Sequence, residues 1–403
     1  MALATAVFLT SLTETLPAGL LPEMSEGLGV TESATGQTVT IYAVGTALTA
    51  IPLTAATAGW RRKRLLLVAM GAFGVANTVT ALSSNYPLTL VARFVAGVAA
   101  GLAWALLAGY ARRMVPVHLQ GKAVAVAMAG IPVALSLGVP VGTFVGKAVG
   151  WRTAFMLMTG LTLILLAWIT AVLPDYPGRR PQDDRPPANP PTPTPAPSPE
   201  SPPAPSPSMF RALTTPGIRP VLFVTLVFVL AHTILYAYVA AFLDRVGMSG
   251  STDLVLLDFG GASLLGIWCV GAHIDRRLRV LTVGSTLLVG TGAAALAIPA
   301  DNHALVYVAV LLWGLGWGGV PTLLQTAVAQ AGGESADAAQ AALVTLWNAA
   351  MAAGGVIGGV LLDSLGARSF PWAVLVLMVP TLAVVLAARG HAFPGRKREP
   401  ATA

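Results

Sequence analysis

Three charged side chains stand where charge is expensive. Glu14 lies about twelve residues into an apolar run that begins at Ala2, Arg93 about six residues into a second run, and Asp258 near the start of a third. At ~1.5 Å per residue, Glu14 comes near the middle of a bilayer. An ionised carboxylate there is costly, so the group faces a wet cavity or carries a proton. Alternation between those two conditions is what coupling to a proton gradient requires; the other reading is a structural hydrogen bond between helices. Asp258 poses the same choice, and if it shares a cavity with Glu14 the two titrations are coupled. Arg93 needs an anionic partner or water. It either tunes a nearby carboxylate and holds a polar ligand group, or snorkels to the outer surface.

A second set of residues has the character of a ligand wall. His232 and Tyr236 are one helical turn apart, and Trp313 and Trp317 repeat that spacing, with Gln325 two turns beyond. Tyr42, Trp347 and Asn348 lie within other apolar runs. Aromatic faces with a few amide and imidazole groups suit an amphiphilic, partly aromatic molecule, although each such residue can also serve packing alone. Gly130, Gly138, Pro140 and Gly142 share one run. Small residues let helices approach closely and proline loosens the local ladder, which suits a sliding contact. There is no Walker loop, metal cluster or Ser-His-Asp grouping, and the single cysteine, Cys269, offers neither a disulfide nor a thiolate metal site.

These residues require elements that cross a membrane. Of 403 residues 55% are apolar and only 10% charged, with a mean hydropathy of +0.73. Repeated runs long enough to cross ~30 Å of hydrocarbon predict twelve helical spans: 2–22, 37–58, 65–82, 87–110, 122–147, 153–173, 219–243, 253–273, 280–299, 303–329, 338–362 and 370–388. The net charge of +7 invites a nucleic-acid reading, but the charge follows topology. With the N-terminus inside, 19 of 24 lysines and arginines fall on the inner side, Arg61, Arg62, Lys63 and Arg64 foremost. Both termini are therefore expected in the cytoplasm of a cell bounded by this membrane, with no nucleic-acid partner.

Between the two sets of six spans, residues 174–207 hold 15 of the chain's 30 prolines and no core-forming run. Such a stretch is expected to be a solvated tether. The organisation is thus an N-terminal half (1–173), a linker (174–218), a C-terminal half (219–390) and a tail (391–403). The halves repeat faintly at an offset of 216: Gly138, Gly142, Gly150 and Arg152 recur as Gly354, Gly358, Gly366 and Arg368. The same offset pairs Lys63 with Arg279, Asn85 with Asp301 and Tyr42 with Asp258. Internal repeats of this kind mark transporters.

Six plus six helices about a cytoplasmic loop resemble the major facilitator superfamily. Within it, residues 13–30, 92–105, 129–155, 231–243, 312–325 and 346–359 resemble the bacterial drug:proton antiporters of the sugar-efflux and chloramphenicol-resistance type. The resemblance implies a major facilitator fold and a proton-carrying acid at Glu14. It implies an RxxxG arginine at Arg93 (followed by Gly97 and Gly101), and an export-type motif around Gly138-Val139-Pro140-Val141-Gly142. It supports His232, Gln325 and Asn348 as ligand contacts, and Asp275 with Arg276 as a cytoplasmic gate pairing the halves. It says nothing for Asp258, and the first half lacks the matching acid at residues 55–59. The expectation is a monomeric secondary transporter in a bacterial plasma membrane, with no cofactor. It would export an amphiphilic, drug-like compound against inward proton flow. A sugar or nucleoside exporter is the alternative; an embedded enzyme or sensor lacks its parts.

Overall fold

The computed structural model describes residues 1–57, 59–177, 215–298, 302–332 and 336–393. The linker and tail residues beyond these bounds, Asp301, and the side chain of Asp275 lie outside the description. Among the described residues every regular element is a helix. Ten helices are long and apolar enough to cross a membrane. They are Arg62–Leu82, Tyr86–Arg113, Lys122–Val149 and Trp151–Val172 in the first half. In the second half they are Ile218–Tyr236, Ser249–Ile274, Arg276–Ala297, His303–Gly332, Ala339–Leu365 and Ser369–Ala387. A bent pair, Ala2–Gly19 and Leu21–Leu28, makes an eleventh, with 76° between its parts. The twelfth crossing element, Glu32–Ala56, is 25 residues long and carries no charged residue after Glu32. Its first turns carry Ser33, Thr35, Thr38 and Thr40, all buried against protein. These twelve are numbered as spans 1 to 12 in chain order below.

Prolines and glycines explain the breaks. Pro17 denies span 1 a backbone donor, and the helix turns at Leu20, whose N–H folds back to Pro17 O at 3.2 Å. Pro140 does the same in span 5, where residues Ala134–Gly138 widen into a π turn and Val139 N–H reaches Ala134 O. Spans 8 and 9 run on as one helix, Thr252–Ala297, interrupted only where Arg277 leaves helical geometry (φ −135°, ψ 27°).

The two halves repeat in their contacts. Thr46 Oγ1 donates to Gly97 O at 3.0 Å, and Ser263 Oγ donates to Gly314 O at 3.1 Å. Asn85 caps span 4 and Asn302 caps span 10, each side chain accepting a backbone N–H. These pairs are 217 residues apart, one more than the sequence offset. Lys63 and Arg279 do keep 216, reaching the last turns of spans 6 and 12 at Thr170 O and Val385 O. The slip corrects two pairings. Asn302, not Asp301, matches Asn85. Phe259, not Asp258, matches Tyr42: a Cβ on Gly97 would lie 2.1 Å from Tyr42 O, and one on Gly314 would lie 2.5 Å from Phe259 O.

The halves are joined toward the membrane face away from the termini. Tyr238, at the break between Ile218–Tyr236 and Val239–Arg245, donates to Gly355 O at 2.8 Å and accepts from Gln37 Nε2 at 3.1 Å. Ser136 Oγ donates to Gly260 O at 2.8 Å, and Lys147 donates to Ser249 O.

Candidate functional site

The first half gathers Glu14, Arg93 and Tyr42 within electrostatic reach of one another. Arg93 is fully buried (0% exposed), which overturns the snorkelling alternative. Its Nη1 donates to Thr13 O at 2.9 Å, its Nε to Thr38 O at 3.2 Å, and its Nη2 to Glu14 O at 3.5 Å. Thr13 stands four residues before Pro17, so its carbonyl has no intrahelical donor. Arg93 supplies one, and thereby ties spans 1, 2 and 4 together beside the Glu14 carboxylate. Its guanidinium also lies 4.9 Å from the Tyr42 ring centroid and 5.9 Å from that of Phe155. Tyr42 is likewise fully buried, and its hydroxyl donates to Thr10 O at 3.2 Å. In this structure it packs between helices.

The second half brings its expected aromatic residues into one cluster. His232 lies on Trp317 with centroids 3.5 Å apart and planes 7° from parallel. His232 also meets Tyr236 at 5.1 Å and Trp313 at 5.4 Å, and Trp317 meets Trp347 at 5.7 Å. Phe259 completes the group, 4.6 Å from Trp313 and 5.4 Å from Tyr236. The cluster holds two buried polar atoms, His232 Nδ1 and Tyr236 Oη, without a partner among the described residues. Leaving such a group unpaired costs about 1–3 kcal/mol. Gln325 does not join the rings. Its span breaks between Gly318 and Val320, so the two-turn spacing from Trp317 is not continuous helix, and the side chain is exposed. Asn348 donates to Val344 O in its own helix at 2.9 Å.

Asp258 is the residue whose expected place changes most. On span 8, Leu256 and Gly260 face the first half: Gly260 approaches Ser136, and Leu256 lies beside Gly19. Two residues from each, Asp258 is turned by about 200°. It falls toward the flank of exposed Leu254, Leu257 and Leu265, with Oδ2 buried and unpaired. A cavity shared with Glu14 is thus not what this helix phase provides.

The glycine motif is built against span 1. A Cβ on Gly130 would lie 2.3 Å from Ala4 O, and one on Gly142 would lie 2.7 Å from Leu16; Gly138 meets Phe8 and Leu12. Pro140 is buried beside them. The π turn that Pro140 produces carries Ser136, so the loosened part of span 5 is also where span 5 meets span 8. Arg276 is exposed, and of the gate expected from Asp275 and Arg276 across the halves the Asp275 side chain lies outside the description. In the first half Arg61 finds its acid at Asp175, after span 6, with Nε 2.5 Å from Oδ2. That pair is solvent-exposed and contributes little.

Residues 3–353 match the family model of the Major Facilitator Superfamily. The chain belongs to that superfamily. It is a transporter of this fold rather than an enzyme. A bacterial homolog to the human lysosomal transporter Spinster, in an inward-facing and unoccupied conformation, superposes with a TM-score of 0.73 at 12% identity, covering 99% of this chain and 98% of that one. The human organic anion transporter MFSD10 (TETRAN) gives 0.67 at 15% identity, over 95% and 98%. In sequence the transporter is 28% identical over 398 residues to the transcription regulatory protein OpdE of Pseudomonas aeruginosa, 98% of this chain and 94% of that one. It is 25% identical over 359 residues to the purine ribonucleoside efflux pump NepI of Escherichia coli K12, 88% and 85%.

Two features of the transporter escaped the sequence reading. Phe259 was hidden by the one-residue slip in the repeat. Tyr238 was passed over although the run Tyr236-Ala237-Tyr238 held a signal: two tyrosines at that spacing cannot share a helix face. Its ring fills a pocket of glycines, since a Cβ on Gly36 would lie 2.2 Å from it and one on Gly358 would lie 2.6 Å away.

Proposed function

We propose that this transporter exports a small amphiphilic molecule bearing a planar ring, a purine nucleoside foremost, in exchange for protons. The observation that carries this reading is the ring cluster of His232, Tyr236, Phe259, Trp313, Trp317 and Trp347, with His232 Nδ1 and Tyr236 Oη buried and unpaired. Flat faces stack on a heterocycle, and the two orphaned polar atoms suit its hydrogen-bonding edge. Relatives named as purine ribonucleoside efflux pumps support the same ligand class. A drug-like amphiphile is the second reading, favoured by the excess of ring faces over polar groups in the cluster.

Glu14 is the proton carrier in this scheme. It is the acid within Ala2–Gly19, it lies beside Arg93, and no protein group is hydrogen-bonded to its carboxylate among the described residues. The lysine and arginine bias puts both termini and the linker in the cytoplasm of a bacterial cell. The junction of Tyr238, Gln37 and Gly355 then closes the outer side. The working unit is a monomer in the lipid bilayer, driven by the proton gradient without a cofactor. Proteoliposomes test the reading: labelled inosine should move uphill against an imposed proton gradient, and Glu14→Gln should abolish uphill movement while sparing downhill exchange. Glu14→Gln pumping as well as the parent at equal reconstitution overturns the coupling. A failure to bind or move any purine nucleoside, with a cationic dye transported instead, overturns the ligand class.

A further inference from the structure

Far from the ring cluster, the first half contains an apolar cavity of about 630 Å³ at the membrane face that bears the termini. Its walls include Leu3 of span 1, Ala111 of span 4, Leu119 and Ala123 at the start of span 5, and Trp168 and Leu173 of span 6. It opens sideways: Val126 and Val172 on its rim are 49% and 59% exposed. In a chain that crosses a membrane, that opening gives onto hydrocarbon.

The mouth of this groove is cationic. Lys122 lines it, and Arg112 lies exposed one residue from the lining Ala111, whereas Arg113 faces the other way, toward Pro177 and Tyr110. No aspartate or glutamate is among the described lining residues. An apolar slot beneath a lysine and an arginine, at the depth where lipid phosphates lie, complements one kind of molecule in both parts. We propose that this groove binds a phospholipid with an anionic headgroup from the leaflet on the side of the termini. One acyl chain lies between spans 5 and 6, and the phosphate sits on Lys122 and Arg112. A neutral phospholipid matches the slot but not the excess of positive charge. The inference is independent of which substrate the ring cluster takes.

Photo-crosslinking to the full-length transporter tests it. Nanodiscs would carry either a phosphatidylglycerol or a phosphatidylcholine with the same diazirine-bearing acyl chain, and labelled peptides would be mapped by mass spectrometry. Phosphatidylglycerol should label residues 119–127 and 168–173 above the phosphatidylcholine probe. Lys122→Gln should lower that labelling about fivefold, the worth of one basic residue at an anionic surface, while labelling elsewhere stays unchanged. Arg112→Gln gives a second route should Lys122→Gln not insert. Ala123→Phe, which fills the groove, should abolish labelling there by either probe. Equal labelling by the two lipids, or groove labelling indifferent to both charge variants, overturns the headgroup assignment. Absence of label from the groove, as when a protein segment occupies it, overturns the proposal altogether.

Discussion

Tyr238→Phe isolates the junction between the halves. The substitution keeps the ring, its stack on Phe370 at 5.7 Å and its fit among Gly36 and Gly358, and removes only the hydroxyl. Lost are the bond donated to Gly355 O at 2.8 Å and the bond accepted from Gln37 at 3.1 Å. At about 0.5–1.5 kcal/mol net for each, the gross loss is about 1–3 kcal/mol. Gln37 keeps bonds to Gly355 O and Ser33 O, both at 3.3 Å, which trims the loss. A remaining cost of about 1–2 kcal/mol moves the joined-to-parted equilibrium by roughly five- to thirtyfold. The assay is electron–electron distance measurement with spin labels at Glu26 and Arg245, both exposed and on opposite halves, after Cys269→Ser. The long-distance population should grow, and an engineered cysteine at Thr40 should become more reactive from that face. A distance distribution identical to the parent, in a protein of unchanged melting temperature, would refute the assignment of Tyr238 as the latch.

Trp317→Ala removes the ring face on which His232 lies at 3.5 Å. Nucleoside affinity, by equilibrium dialysis, should fall about tenfold or more, since an aromatic pair adds ~0.5–1.5 kcal/mol beyond its area. Asp258→Asn should leave the pH profile of transport unchanged and alter only melting temperature, because the residue points away from the first half.

Glu14 could be placed by counting residues into the first apolar run. The ring cluster was equally legible, because His232 with Tyr236 and Trp313 with Trp317 share helix faces by spacing alone. What failed was register. An offset wrong by one residue rotates a helical position by about 100°, enough to put Asp258 where Phe259 stands. Arg93 was found as an anomaly, but its job depends on a carbonyl vacated by Pro17, a pairing between two spans. The separation of Thr13 and Pro17 by four residues was the available sign. Tyr238 lies at a helix break, where periodicity has no say.

The proposed proton site, Glu14, and the ring cluster lie in different halves, so coupling between them must cross the interface. A continuous set of contacts does so. Leu12 and Leu16, flanking Glu14, rest on Gly138 and Gly142; the same helix presents Ser136 to Gly260; and Gly260 adjoins Phe259 in the ring cluster. Contiguity alone does not establish coupling; that requires a contact that both sites bias. Ser136 offers the cleanest trial, because it touches neither Glu14's carboxylate nor the rings. Ser136→Ala deletes one buried bond of 2.8 Å, worth about 0.5–1.5 kcal/mol net. Nucleoside affinity should hold, while the uphill gradient sustained by a fixed proton gradient should change. The effect should shrink in a Glu14→Gln background, where no proton cycle remains to be coupled. Equal loss in both backgrounds would mean that Ser136 only stabilises the fold, and that the two sites communicate by another route.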